Sequence, residues 1–328
     1  MKLALVGSGK IIMSALDALI QVQGIELVAL CVRAESIEKG QVICQQFGIA
    51  KLYTDYQELL QDPDIEVIYI GLPNHLHFQY TFDALMADKH VVCEKPFTPN
   101  WQQLQVLISI SQTRGLFLFE AITSIPIHTP EFHFIKQHID KIGEIKVIHG
   151  NYSQYSSRYN DYLQGRIHAA FDPQQAGGAL YDINLYNIYL LSALMGAPDS
   201  SHYICNKGFN GIDTSGILTA HFGRSVASCV GAKDSASPGY FIIQGTKGYI
   251  CIKGAPSLCQ SVEVCIDGEI SSVSRDTTIN HMVYEFAFFR EQIGTKSHAK
   301  CNELLELALI VSKILHQSRD DVGLVFES

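Results

Sequence analysis

Gly7 and Gly9 end the apolar run 3–6 and precede apolar residues at helical spacing, Ile12, Ala15, Leu16 and Leu19. Glycines between a strand and a helix let the backbone turn tightly and approach a pyrophosphate, which the helix N-terminus favours electrostatically. Gly7, Gly9, Lys10 and Ile11 are therefore candidate dinucleotide-binding residues. A strand-to-helix turn without a ligand is the plainer reading, and the position of the motif at the head of an alternating strand–helix pattern argues against it. The sixth position of the motif is Ile12 rather than Gly or Ala, which predicts looser or shifted helix–strand packing. After the second strand comes Arg33, with no acid at the strand tip. An Arg there suits the 2′-phosphate of NADP, whereas NAD calls for an Asp or Glu. NADP is thus preferred over NAD, although Arg33 could stack on adenine in either cofactor and Glu35 could reach the ribose.

Two further clusters follow predicted strands: Leu72, Pro73, Asn74 and His77 after one, Glu94 and Lys95 after the next. Ligands of open parallel sheets bind beyond the carboxyl ends of the strands, so both clusters belong with Gly7 and Gly9. His75 and His77 have the look of a metal pair, but no third ligand stands at a sensible spacing. A helix-start turn with one histidine near the cofactor is preferred, and no metal is expected. Asp182 and Tyr186 lie four apart on a predicted helix, hence on one face. A tyrosine among Leu180, Leu185, Tyr189 and Leu190 is by itself more often core than catalyst. Asp182 on so apolar a helix needs a partner if buried. The polar, aromatic stretch 153–159 is either a substrate contact or an ordinary loop, and Arg158 is given no role.

The elements that must position these residues change in texture near residue 120. Before it, short apolar runs at 3–6, 26–32, 67–70, 90–93 and 116–119 alternate with helix-period segments at 38–47 and 56–60 and up to residues 87 and 113. Near-continuous apolar strands alternating with helices imply a doubly wound parallel sheet, buried on both faces. After it, 146–152, 217–222, 226–230, 240–244, 249–253 and 262–266 read as strands, several joined by short turns. Helices are expected at 178–195, 281–292 and 303–317, and loops at 199–201 and 235–239. The fold expected is α/β: an N-terminal Rossmann domain, 1–120, followed by an α+β domain, 121–328, with a largely antiparallel open sheet.

Composition narrows the partners. A formal net charge of -9 over 328 residues offers little to offset phosphate repulsion, which argues against nucleic acid and anionic membrane surfaces. Nine cysteines, an odd number without a C-x-x-C pair, read as reduced thiols. No secretory signal or membrane-length apolar run is visible, so a cytoplasmic protein is expected.

The start Gly7-x-Gly9-x-Ile11, Pro73-Asn74-x-x-His77, Glu94-Lys95-Pro96, Phe171-Asp172-Pro173, the run 177–186 and the turn 245–250 together resemble the Gfo/Idh/MocA family. The similarity extends over nearly the whole chain. It implies an NAD(P)-dependent oxidoreductase acting on a sugar, polyol or related carbonyl compound. Tyr186, where many members carry His, resembles the branch with glucose–fructose oxidoreductase, xylose dehydrogenases and dimeric dihydrodiol dehydrogenase. Glu120-Ala121 matches that branch too. The chain departs from it at Asn184, where relatives have Gly, and in lacking an Arg within 122–127. In this setting Lys95 is expected to hydrogen-bond the substrate oxygen and Tyr186 to exchange its proton. A phenol of ordinary pKa is a poor base at neutral pH, and a nearby ammonium would favour the phenolate. Asp182 would orient the substrate or the lysine. The resemblance also implies a homo-oligomer, dimer or tetramer, paired through the open sheet of the second domain. A non-catalytic cofactor sensor that signals to a partner protein is the alternative function, since the family contains repressors of that kind.

Overall fold

The structure, a computed structural model, describes residues 1–122 and 129–326. Most of the segment 122–127, where the missing Arg was sought, therefore lies outside the described residues. The chain divides into two units, 1–121 with 279–306 and 122–278 with 307–328.

The first unit is a six-stranded sheet in the order β3-β2-β1-β4-β5-β6. Its strands are β1 (Lys2–Val6), β2 (Glu26–Cys31), β3 (Lys51–Tyr53), β4 (Val67–Ile70), β5 (His90–Glu94) and β6 (Leu118–Ala121). Every pairing is parallel, as a doubly wound sheet requires. Leu3–Leu5 and Val67–Ile70 are fully buried, as central parallel strands covered on both faces must be. Between the strands lie α1 (Lys10–Leu19), α2 (Ile37–Phe47), α3 (Tyr56–Leu60), α4 (His77–Met86) and α5 (Trp101–Arg114). Asp55 caps α3, accepting from the Gln57 and Glu58 amides.

The second unit carries an eight-stranded sheet, β14-β13-β12-β11-β7-β10-β9-β8. It comprises β7 (Ile145–Ser153), β8 (Ser200–Lys207), β9 (Asp213–Phe222), β10 (Ser225–Ala232), β11 (Tyr240–Gly245), β12 (Gly248–Lys253), β13 (Ser261–Ile266) and β14 (Glu269–Ser274). All neighbours are antiparallel except β7 and β10. Its helices are α6 (Pro130–His138), α7 (Tyr159–Leu163) and α8 (Leu185–Met195). Two more helices, α9 (Met282–Thr295) and α10 (Ala299–Asp321), follow the sheet in sequence.

Three expectations need correction. Residues 199–201 are not all loop, because Ser200 opens β8. The stretch 178–195 is not one α-helix: a π-turn, Leu180–Asn184, precedes α8. The expected boundary at 120 also leaves out 279–306, which groups with the first unit. Its apolar side explains why: Phe286 meets Tyr69 edge-on at 5.5 Å, Phe289 stacks on Phe119 at 4.6 Å, and the Asn280 amide donates to Ser14 O at 3.0 Å.

Among the described residues, no helix is long and apolar enough to cross a membrane. All nine cysteines are unpaired.

Candidate active site

In the first unit the glycine turn sits where strand order reverses between β1 and β4, the crevice at which such sheets bind ligands. Gly7 has φ +121°, and a Cβ there would lie 2.6 Å from Gly71 O. Gly9, at the N-cap of α1, is exposed and, among the described residues, has no neighbour within 4 Å of an added Cβ. Lys10 and Ile11 are exposed beside it. The first turn of α1 contains no acid, so nothing opposes an anion at the helix N-terminus. These features fit a dinucleotide pyrophosphate.

Of the looser or shifted packing expected at Ile12, the arrangement is the shifted one. Ile12 is fully buried and fills the room left by Gly71, where an added Cβ would meet Ile12 Cδ1 at 2.6 Å. The small residue that the motif usually places on the helix stands here directly after β4. Arg33 stands two residues beyond β2, its side chain 77% exposed, and pairs with Glu35 at 3.0 Å. Such surface pairs contribute little, so the guanidinium can turn to a ribose phosphate at small cost.

Leu72 and Asn74 are half-buried and Pro73 is exposed, all at the open end of β4. His77 and Glu94, also expected at the cofactor, turn inward instead. His77 is fully buried, with Nδ1 2.7 Å from Pro96 O and Nε2 2.8 Å from Leu72 O. It ties the β4 loop to the β5 loop, and with both nitrogens so engaged it is no metal ligand. Two carbonyl partners favour its charged form, but burial outweighs them and holds its pKa below the ordinary histidine value. Glu94 accepts from Tyr69 Oη at 2.6 Å and from the Lys95 amide at 3.2 Å. Burial raises its pKa, opposed by the Tyr69 bond and the Lys95 charge.

Lys95 stands half-buried just beyond β5. On its other side Glu120, at the end of β6, accepts from the Phe97 amide at 2.8 Å. Burial pushes the Glu120 carboxyl up to about 8; the Phe97 bond lowers it and the Glu94 charge raises it further. The turn bearing Lys95 is thus held between two carboxyls whose ionisation burial opposes.

In the second unit Asp182 lies in the π-turn and Tyr186 in the first turn of α8. Both are half-buried. Asp182 pairs with Lys233 Nζ at 2.7 Å, the lysine being 3% exposed and the aspartate 35%. The same ammonium donates to Ala170 O and lies 4.4 Å from the Phe171 ring centroid. Tyr186 packs against Tyr152, ring centroids 5.8 Å apart. Behind them Asp213, fully buried, accepts from the Leu180 amide at 2.7 Å and from Tyr203 Oη at 2.8 Å. Lys233 and Asp213 escaped the sequence reading. The available signal was a lysine directly after the small residues Gly231 and Ala232, at the end of a strand. Arg158 is exposed, which gives it no place in this cluster.

Residues 1–121 match the NAD-binding Rossmann fold of the Gfo/Idh/MocA oxidoreductases, and residues 132–251 match the family's C-terminal domain. The chain belongs to the Gfo/Idh/MocA family. It is an oxidoreductase with an NAD-binding domain. Among curated relatives, the NADP(+)-dependent scyllo-inositol 2-dehydrogenase of Bacillus subtilis is 28% identical over 326 residues, 99% of this chain and 98% of the relative. The trans-1,2-dihydrobenzene-1,2-diol dehydrogenase of Mus musculus is 27% identical over 312 residues, 90% of this chain and 89% of the relative. Among solved structures, a 3-ketoreductase of Actinomadura kijaniata in complex with NADP superimposes with TM-score 0.85 at 20% identity, covering 98% of this chain and 97% of the other. That likeness shows the fold.

Proposed function

We propose that the protein is an NADP-preferring dehydrogenase or reductase that moves a hydride between the nicotinamide and a secondary alcohol or ketone of a sugar or polyol. The bound nicotinamide supplies or accepts the hydride. Gly7, Gly9 and the N-terminus of α1 hold the pyrophosphate, with Lys10 and Ile11 beside it. Arg33 takes the ribose phosphate, and Leu72, Pro73 and Asn74 line the open end of β4. Lys95 donates a hydrogen bond to the substrate oxygen and places positive charge near it. Tyr186 gives that oxygen a proton when a ketone is reduced and takes it back when an alcohol is oxidised. Asp182, fixed by Lys233, accepts a hydrogen bond from a neighbouring substrate hydroxyl.

The observation that carries this reading is the Asp182–Lys233 pair beside Tyr186. A lysine 3% exposed loses much solvation and needs a function for its partner or a large structural return. The names of the relatives above, a polyol and a dihydrodiol dehydrogenase, agree with a hydroxylated substrate. Unpaired thiols suit a reducing compartment, and we place the protein in the cytoplasm. We also propose a homo-oligomer, dimer or tetramer, formed through the second sheet. Ile204, Ile217, Val226 and Tyr240 are exposed at alternate positions of β8, β9, β10 and β11. Apolar residues gathered on one sheet face mark an interaction surface.

The test is oxidation of a polyol panel that includes scyllo-inositol, with NADP+ and NAD+ in parallel, by the wild-type protein and Tyr186→Phe. Turnover that prefers NADP+ and collapses in Tyr186→Phe is expected. Undiminished turnover in Tyr186→Phe would remove the proton role of Tyr186. NADPH binding without turnover of any sugar, polyol or ketone would favour the non-catalytic sensor.

A further inference from the structure

Two buried amides flank Tyr186 in sequence. Asn184, fully buried, ends the π-turn, and Asn187, also fully buried, lies in the first turn of α8. Asn184 Nδ2 donates to Cys229 O at 3.1 Å, and its Oδ1 accepts from Asn187 Nδ2 at 2.9 Å. Asn187 Nδ2 donates again, to Val230 O at 2.9 Å. The orientation of the Asn187 amide is forced: both atoms facing its nitrogen are acceptors, so the reverse rotamer would set oxygen against oxygen.

The sheet beneath is cut to receive them. A Cβ on Gly231 would lie 2.6 Å from Asn184 Cβ, and one on Gly150 would lie 2.8 Å from Asn187 Oδ1. Both glycines therefore admit the amides to close range of β10 and β7. Among the described residues Asn187 Oδ1 has no hydrogen-bond partner, a cost that an apolar side chain would not incur. Apolar residues would fill this space at less desolvation. Directional bonds to two successive carbonyls of β10 do what apolar packing does not: they fix the rotation and register of the π-turn and of the turn after it. Tyr186 lies inside that span, between the two bolts.

We infer that Asn184 and Asn187 are positioning residues for Tyr186, holding its hydroxyl where the substrate oxygen is protonated. The inference rests on the role given to Tyr186 above. π-turns within helices often occur at functional sites, and a displacement of about 1 Å at a reacting group can cost on the order of 100-fold in rate.

The experiment uses the full-length protein with scyllo-inositol and NADP+, comparing wild type, Asn184→Gly, Asn187→Ser, Tyr186→Phe and the double variant Asn184→Gly/Tyr186→Phe. Asn184→Gly should lower kcat by roughly 10- to 100-fold while KM and the NADPH Kd stay unchanged. The same substitution should have almost no further effect on the residual rate of Tyr186→Phe, because groups acting as a unit are not additive. Asn187→Ser is the gentler variant and gives the same kcat-specific loss if Asn184→Gly fails to fold. A lower Tm with unchanged kcat would overturn the inference, as would an equal fractional loss in the Tyr186→Phe background. If Tyr186→Phe itself keeps full kcat, the role of Tyr186 fails first and takes the inference with it.

Discussion

Glu120 ties the first unit's chemistry to pH. Its carboxyl is raised to about 8, chiefly by burial, against an unfolded value near 4.5. The folded state therefore binds its proton more tightly, and the stability this confers is complete below pH 4.5 and lost as pH rises through 8. Because the side chain keeps partial solvent contact, we expect about 1–3 kcal/mol across that window rather than the full linkage value. Glu120→Gln keeps the acceptor for the Phe97 amide and cannot ionise. Denaturant unfolding at pH 5 and pH 8.5 should show a steep loss of stability for the wild type and little for the variant; parallel curves would contradict the assignment. At the second cluster, Lys233→Met strands Asp182 and should cost about 2–4 kcal/mol along with most of kcat/KM. Adding Asp182→Asn should return part of the stability and none of the activity. Lost stability with intact kcat/KM would make the pair structural only.

Among the elements, Ile12 in α1 and Gly71 after β4 are one packing decision written on two distant segments of sequence. Gly71→Ala should destabilise by about 1–3 kcal/mol through overpacking, and Gly71→Ala/Ile12→Ala should recover much of it. If the two substitutions simply add in chemical denaturation, the complementarity claimed for them is wrong. The elements also show what the sequence could and could not reveal. Buried central strands such as 3–6 and 67–70 announce themselves by apolar runs. The three strands that escaped, β3, β8 and β14, are all sheet edges. An edge strand buries less, so its pattern stays polar: Glu269–Ser274 is almost wholly exposed. The π-turn was equally invisible, because it depends on Asp213, Cys229 and Lys233, which are 29 to 53 residues away in sequence from the segment 180–184. The glycine turn at Gly7 was legible because local spacing defines it, a glycine between strand and helix, whereas Lys95 and Tyr186 were singled out by the family resemblance. Lys233 was not, since a lysine at a strand end looks like any surface lysine until its partner is placed.

For the whole molecule, the exposed row on the second sheet predicts self-association. Ile204→Asp with Ile217→Asp should shift light-scattering mass to that of one chain, 36.4 kDa, and leave the NADPH Kd unaltered. A wild type already of that mass would remove the interface. The acidic net charge of -9 also sets an expectation for the substrate: a neutral polyol or sugar meets no repulsion, whereas a polyanion would need a basic site of its own. In the function we propose, this chain catalyses nicotinamide-linked oxidation and reduction of a hydroxylated carbon. The most direct measurement follows nicotinamide absorbance while purified protein meets scyllo-inositol and a panel of sugars and polyols with NADP+. NADPH formation should be matched mole for mole by ketone, faster than with NAD+ and abolished by Lys95→Ala. Tight NADPH binding with no turnover anywhere in the panel would contradict that function.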